Sequence, residues 1–282
     1  MKTIRIIPRL DIKGPNLVKG IHMEGLRVLG KPEDFARYYY ENGADELFYQ
    51  DVVASLYDRN SLNDLISKTA KELFIPLTVG GGIRSLDDIH NVLRSGADKV
   101  CINTAAIKNP NFITEAANVY GSSTIVVAIE VIKQNDNTYF AYTDNGREHT
   151  GIDVISWAKK VQELGAGEIV LTSVDQEGTG QGFDIELIRR VSDVVSVPLI
   201  IHGGAPDEVN IAKAIIEGKI DAVAIASILH YKILHYNSIS KVVGEEGNMD
   251  FLKSGKSFSK VKPTTIKNIK DYLNNNNISV RM

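Results

Sequence analysis

Asp11 follows the apolar run IRIIPRL (4 to 10) and Glu130 ends the run TIVVAIE (124 to 130), 119 positions later. A carboxyl pair held across an apolar-floored pocket can move a proton in either direction, because unequal surroundings leave one group ionised and the other protonated. Asp51, near the end of ELFYQDV (46 to 52), occupies a comparable position. The plainer alternative makes these acids helix caps or solvated loop residues. Glycines follow two further runs, as Gly80-Gly81-Gly82 and Gly203-Gly204, and polar or small residues follow the next two, as Asn103-Thr104 and Ala226-Ser227. Small residues let backbone N–H groups and hydroxyls face a phosphate; tight turns are the other use of such glycines. Two cups of this kind suit a substrate phosphorylated at both ends and lying across the carboxyls. Arg5, Glu46, Lys99 and Glu168 stand at the opposite ends of their runs. Two positive and two negative charges can close a paired ring, since buried charges tolerate desolvation only with partners. That ring is either a plug or gate, or an ion-pair layer with a purely structural use.

The elements that must position these residues alternate. Eight β-branched runs, the three above plus IPLTVG (75 to 80), DKVCIN (98 to 103), PLIIHG (198 to 203) and DAVAIAS (221 to 227) among them, are separated by segments of helical periodicity. EIVLTS (168 to 173) completes the set. Several of the helical segments begin with Ser, Asp, Asn or Pro and end at Gly, as caps require. The chain also resembles itself. Gly43-Ala44-Asp45-Glu46 matches Gly165-Ala166-Gly167-Glu168, and Ile75-Pro76-Leu77 with Gly81-Gly82 matches Val197-Pro198-Leu199 with Gly203-Gly204, both displaced by 122. Two sets of four strands predict a closed (β/α)8 barrel, a TIM barrel with duplicated half-barrels, in preference to an open doubly wound sheet. Residues 1–282 are expected to form this one domain, with a hairpin insertion over 131–150 and a polar insertion over 231–262, both on the catalytic face.

With 32 Lys and Arg against 35 Asp and Glu, the formal charge is −3 and no basic block tracks a phosphodiester backbone, so nucleic acid is not an expected partner. No apolar stretch reaches the roughly 20 residues of a membrane helix. The charged N-terminal segment and the single cysteine, Cys101, point to the cytoplasm. The six histidines show no ligand spacing, so neither metal nor cofactor is expected, and Cys101 and Trp157 read as packing residues.

The segments IIPRLDIK, LVKG, FIPLTVGGGIRS, GADKVCINTAA, ELGAGEIVLTS, EGT, HGGA and the C-terminal NISVRM together resemble the cyclase subunit of imidazole glycerol phosphate synthase, over nearly the whole chain. The resemblance implies a lyase subunit of a glutamine amidotransferase complex in histidine biosynthesis, a heterodimer with a glutaminase docked on the N-terminal barrel face. Ammonia would pass the gate of Arg5, Glu46, Lys99 and Glu168, and Asp98 would touch the partner. The implied substrate is phosphoribulosyl-formimino-aminoimidazole carboxamide ribonucleotide, and the products are imidazole glycerol phosphate and aminoimidazole carboxamide ribonucleotide. Asp11 and Glu130 take the acid and base roles. Lys19, Asp51, Gly81, Gly82, Asn103, Thr104, Thr172, Glu177, Gly203, Gly204 and Ser227 hold substrate, with Lys19 helping a flexible loop from Lys19 to Gly30 to close. Four positions depart from the family pattern. Arg9 replaces a small residue, Glu130 and Glu177 replace Asp, and His202 replaces Ser. These departures point to a divergent paralogue. They leave an alternative, a non-cyclising ammonia conduit serving a separate amidotransferase in acetamidino-sugar synthesis, and a weaker one, the related sugar isomerase barrel.

Overall fold

The computed structural model describes residues 2–54, 62–235 and 260–282. The twelve strands among these described residues, numbered along the chain, form one sheet. Eight of them, β1 (Arg5–Lys13), β4 (Leu47–Asp51), β5 (Leu77–Gly80), β6 (Lys99–Ile102), β7 (Ile125–Lys133), β10 (Glu168–Ser173), β11 (Leu199–His202) and β12 (Ala222–Ile225), pair in parallel in this order, and β12 returns to β1. The ring is therefore closed, as the internal repeat predicts. Closure leaves no barrel edge unpaired. The barrel strands are apolar on both faces because one face packs on helices and the other fills the interior, which is why they read as unbroken apolar runs.

Five of the described helices start at side-chain caps that the sequence offers. Ser85 forms a reciprocal capping box with Asp88 before Leu86–Arg94, and Asp153, Asp184, Asp207 and Thr265 each accept a backbone N–H at the start of a helix. The last helix, Ile266–Asn275, buries Ile266, Ile269 and Leu273, and Lys270 on the same face reaches Asp45 at 2.8 Å. Asp45 also accepts the Ile6 N–H at 2.7 Å, so this pair ties the C-terminal helix to the first barrel strand.

Three local expectations change. The first and fifth barrel strands do not stop at Asp11 and Glu130 but run on to Lys13 and Lys133, past the barrel rim, because each continues into antiparallel pairing. The segment from Lys19 to Gly30 is not a loose loop. With the residues before it, it forms the hairpin of β2 (Asn16–Ile21) and β3 (Glu24–Gly30), with β2 paired to the overrun of β1 and Leu17 to Gly20 buried. Finally, residues 231–235, at the start of the expected insertion, lie in the helix Ser227–His235; the body of that insertion, 236–259, lies outside the described residues. Strands β8 (Tyr139–Thr143) and β9 (Glu148–Asp153) form an antiparallel hairpin on the overrun of β7. No helix among the described residues is long and apolar enough to cross a membrane.

Candidate active site

Side chains alternate across the barrel wall, so every second residue of a strand points inward. On β1 these are Arg5, Ile7, Arg9 and Asp11; on β7 they are Val126, Ala128 and Glu130. The two carboxyls thus stand on opposite strands at the C-terminal mouth, buried at 6% and 7% exposure. Arg9, 4% exposed, lies just beneath Asp11. Its Nε donates to Asp11 Oδ1 at 2.9 Å, its Nη1 lies 3.2 Å from His202 Nδ1, and its guanidinium carbon is 5.5 Å from the centre of the Phe48 ring. Lys19 approaches Asp11 from the β2–β3 hairpin, with Nζ 3.7 Å from Oδ2, and also pairs with Glu177.

These neighbours set different protonation states. Burial favours a neutral Asp11, but Arg9 and Lys19 outweigh it and hold the carboxyl below its ordinary range. Burial pushes Glu130 up to about 7, against the lowering effect of the Gly146 N–H, of Arg9 and of Asn103. Asp144 adds to the rise through like-charge repulsion. The Gly146 N–H donates to Glu130 Oε2 at 2.9 Å. His202 is kept neutral by burial and by the adjacent Arg9 and Lys19 cations. At neutral pH one carboxyl is therefore ionised and the other is at its midpoint, the arrangement needed for a base and an acid at one mouth.

A cavity of about 300 Å³ opens beside Glu130. Arg9, Asp51, Gly81, Gly82, Asn103, Thr104 and Thr172 all border it. Gly81 has φ +104°, and a Cβ there would come within 2.4 Å of the Asp51 carbonyl oxygen, so the backbone can reach the cavity only as glycine. Asp51 itself uses Oδ1 to accept the Val53 and Ala54 N–H groups at 3.0 and 2.9 Å, which shapes the turn after β4. Gly203, Gly204, Ser227, Lys19 and Glu177 gather around a second recess of about 20 Å³ in the other half of the mouth. Glu177, 1% exposed, is engaged by Lys19 and by the Met23 N–H at 2.9 Å, so its carboxylate fastens the β2–β3 hairpin down. Sequence reasoning missed Gln50, Lys108 and Asn145, which also border the larger cavity. Asn145 was visible only as part of an Asp-Asn-Gly turn, a signal that says where the chain reverses but not what it reaches.

At the other end of the barrel Arg5 Nη1 pairs with Glu46 at 2.7 Å and Glu168 at 2.9 Å, while Lys99 Nζ pairs with the same two acids at 3.3 and 3.1 Å. Charges alternate around this ring. Above it the interior is apolar, lined by Ile7, Phe48, Val126, Val170, Ile200 and Cys101, whose thiol burial pushes up to about 12. Asp98 accepts the Leu77 N–H at 2.9 Å and borders a surface recess with Phe74, which is 80% exposed. Among the described residues no group of His, Cys, Asp and Glu is gathered for a metal ion.

Residues 5–235 match the model of a family described as "Histidine biosynthesis protein". The imidazole glycerol phosphate synthase subunit HisF of Legionella pneumophila is 57% identical over 204 aligned positions, covering 72% of this chain and 96% of the relative. The protein of the same name from Methanocaldococcus jannaschii is 46% identical over 266 positions, covering 88% of this chain and 98% of the relative. That from Alkaliphilus metalliredigens is 46% identical over 231 positions, covering 82% and 92%.

Proposed function

The chain belongs to the histidine biosynthesis protein family, and from that membership we infer that it is the cyclase subunit of an imidazole glycerol phosphate synthase. The substrate, phosphoribulosyl-formimino-aminoimidazole carboxamide ribonucleotide, lies across the mouth. One phosphate sits against Gly81, Gly82, Asn103 and Thr104, and the other against Gly203, Gly204 and Ser227. A glutaminase docks on the N-terminal face, around Asp98 and Phe74, and forms a heterodimer in the cytoplasm. Its ammonia passes the ring of Arg5, Glu46, Lys99 and Glu168 and crosses an apolar interior where the uncharged molecule is favoured over ammonium.

At the mouth the nitrogen of ammonia adds to the ribulosyl carbonyl carbon. Glu130, half protonated at neutral pH, gives a proton to the carbonyl oxygen while ionised Asp11 takes one from the nitrogen, leaving a neutral carbinolamine. Asp11 then returns its proton to the hydroxyl, which leaves as water, and Glu130 recovers a proton from the nitrogen as the imine forms. The new nitrogen bonds to the formimino carbon, the old carbon–nitrogen link to the carboxamide ribonucleotide breaks, and the leaving amine takes up two protons, one from the attacking nitrogen and one from the adjacent ring methylene as the imidazole becomes aromatic. One observation carries this reading, namely two buried carboxyls on opposite strands of one mouth, one held ionised and one with its pKa at about 7.

The Arg9–Asp11 pair favours a second reading, because a fixed cation fills part of the mouth and restrains Asp11. In that reading the barrel conducts ammonia to a separate amidotransferase without cyclising anything; the names of the relatives stand on the side of the first. The purified chain with ammonium salt and the ribulosyl substrate decides between them. Imidazole glycerol phosphate is the expected product, and its absence at saturating substrate overturns the cyclase reading. Rescue of a histidine auxotroph lacking its own cyclase is the corresponding test in cells.

A further inference from the structure

The tip of the β8–β9 hairpin, Asp144-Asn145-Gly146, touches three parts of the mouth at once. Asp144 Oδ1 accepts from the Thr104 hydroxyl at 3.4 Å, and the Asp144 N–H donates to the same hydroxyl oxygen at 3.3 Å. The Asn103 amide donates to the Tyr142 carbonyl at 3.3 Å, on the strand leading into the tip. Asn145, 9% exposed, borders the larger cavity and donates to the Val52 carbonyl beyond the end of β4. Gly146 gives its N–H to Glu130. All three tip residues have positive φ, at 54°, 61° and 76°, a shape that the Asp-Asn-Gly sequence tolerates and most others would not. A Cβ on Gly146 would also lie 2.9 Å from Val174.

Asn103 and Thr104 are the residues assigned above to a substrate phosphate, yet here they bond to the hairpin, and the group on Thr104 is itself an anion. A phosphate arriving at Thr104 meets the Asp144 carboxylate within hydrogen-bonding range of the same hydroxyl, where two negative charges repel. The tip has to yield, and it carries the Gly146 N–H with it.

We propose that Asp144 and Asn145 are positioning residues of the reaction. Asp144 holds the phosphate's place at Thr104 until substrate arrives, and its displacement withdraws the Gly146 N–H from Glu130, so that occupation of the first phosphate cup reaches the acid on the neighbouring strand. The proposal rests on the assignment of Asn103 and Thr104 to phosphate. Losing the Gly146 donor, together with the Asn103 amide, favours the protonated form of Glu130, and the phosphate brings a negative charge in place of the displaced Asp144 carboxylate, so substrate binding loads the acid. The charged and polar groups facing Glu130 are Arg9 from β1, Asn103 from the turn after β6, the Cys101 thiol beneath and Asp144 from the hairpin. Of these only Asp144 and Asn103 belong to the contacts that phosphate would rearrange.

The test is titration of the full-length 15N-labelled chain with inorganic phosphate, following the Asn103, Thr104 and Gly146 amides. All three are expected to shift along one binding curve, with amide exchange at Gly146 about tenfold faster at saturation as it loses its acceptor. Saturable shifts at Asn103 and Thr104 with Gly146 unmoved overturn the coupling and leave the phosphate assignment standing. No shift at any of the three overturns both. In turnover, Asp144→Asn keeps a residue that tolerates the positive φ and removes the competing charge, so KM is expected to fall several-fold and the alkaline limb of kcat/KM to move to lower pH. A KM that rises, or a limb that stays in place, contradicts the proposal; a purely structural role moves neither in these directions.

Discussion

Replacing Arg9 by methionine keeps most of the side chain's apolar length and deletes its charge. Removing one partner of a buried ion pair costs about 3–5 kcal/mol. Lys19 Nζ remains 3.7 Å from Asp11, so the lower end applies and Arg9→Met is expected to lose about 3 kcal/mol at pH 8. The pH dependence has a definite sign. In the wild type the Asp11 pKa is depressed, so its contribution is complete above its unfolded value of about 4 and is lost only as pH falls through the lower folded value. In the variant only Lys19 opposes burial, the Asp11 pKa climbs, and stability drains away as pH rises through it. Glu130, already at about 7, also loses the lowering effect of Arg9 and adds to the loss on the alkaline side. The gap between the two proteins is therefore widest at pH 8 and narrows toward pH 5, by about 1.4 kcal/mol for each unit of pKa difference. Urea unfolding at pH 8, 6.5 and 5, followed by Trp157 fluorescence and far-UV dichroism, measures it. A gap below about 1 kcal/mol, or one of equal size at all three pH values, refutes the claim that Arg9 stabilises ionised Asp11.

Glu130→Gln removes the proton while keeping the shape, and kcat with ammonium salt is expected to fall about 10²- to 10⁴-fold with little change in KM. In the wild type the same assay is expected to lose activity as pH rises through about 7, where Glu130 ionises. Lys99→Met leaves Glu46 and Glu168 with Arg5 alone and opens the ring. Glutamine-driven turnover is expected to drop about tenfold, a barrier change of about 1.4 kcal/mol, while ammonium-driven turnover is unchanged; equal losses in both would place Lys99 outside the ammonia path. Lys270→Met strands the buried Asp45 carboxylate, so unfolding free energy is expected to fall by about 3 kcal/mol with kcat/KM unaltered. A variant of unchanged stability would show that the Ile6 N–H alone satisfies Asp45.

The barrel was legible because its strands are buried on both faces, so runs such as IVVAIE stand out without any alternation. The bottom ring was legible for the opposite reason, as Arg5, Glu46, Lys99 and Glu168 are charges placed where apolar residues normally close a barrel. The β2–β3 hairpin was not. Lys19 looks like a mobile basic residue beside Gly20, and what buries it is Glu177, 158 positions away, which no local pattern announces. The carboxylate of Asp51 was visible, but not that two backbone N–H groups already occupy one of its oxygens. Gln50 escaped because bordering a cavity depends on the tilt of its strand, and Lys108 because it depends on how the short helix Thr104–Lys108 is set over the mouth, neither of which composition encodes.

The two halves of the barrel repeat one device with different endings. In each, the first strand overruns the rim, folds back as an antiparallel hairpin, and the hairpin returns a donor to the carboxyl that its own strand carries. The first half returns the Lys19 ammonium to Asp11, beside the Arg9 guanidinium, and two cations overcome burial. The second half returns a backbone N–H from Gly146 to Glu130, and that weaker donor, with Arg9 and Asn103, leaves burial in command. A duplicated scaffold, equal in topology, thereby separates an ionised carboxylate from one that titrates at about 7. What makes the two sites unequal is the Arg9 guanidinium bonded to Asp11 together with the residue each hairpin sends back, so a cation in place of the Gly146 N–H should narrow the difference. A cation introduced opposite Glu130 would pull its pKa down and move the alkaline limb of the rate profile with it; a limb that stayed near pH 7 would mean that the asymmetry lies in the barrel wall and not in the hairpins.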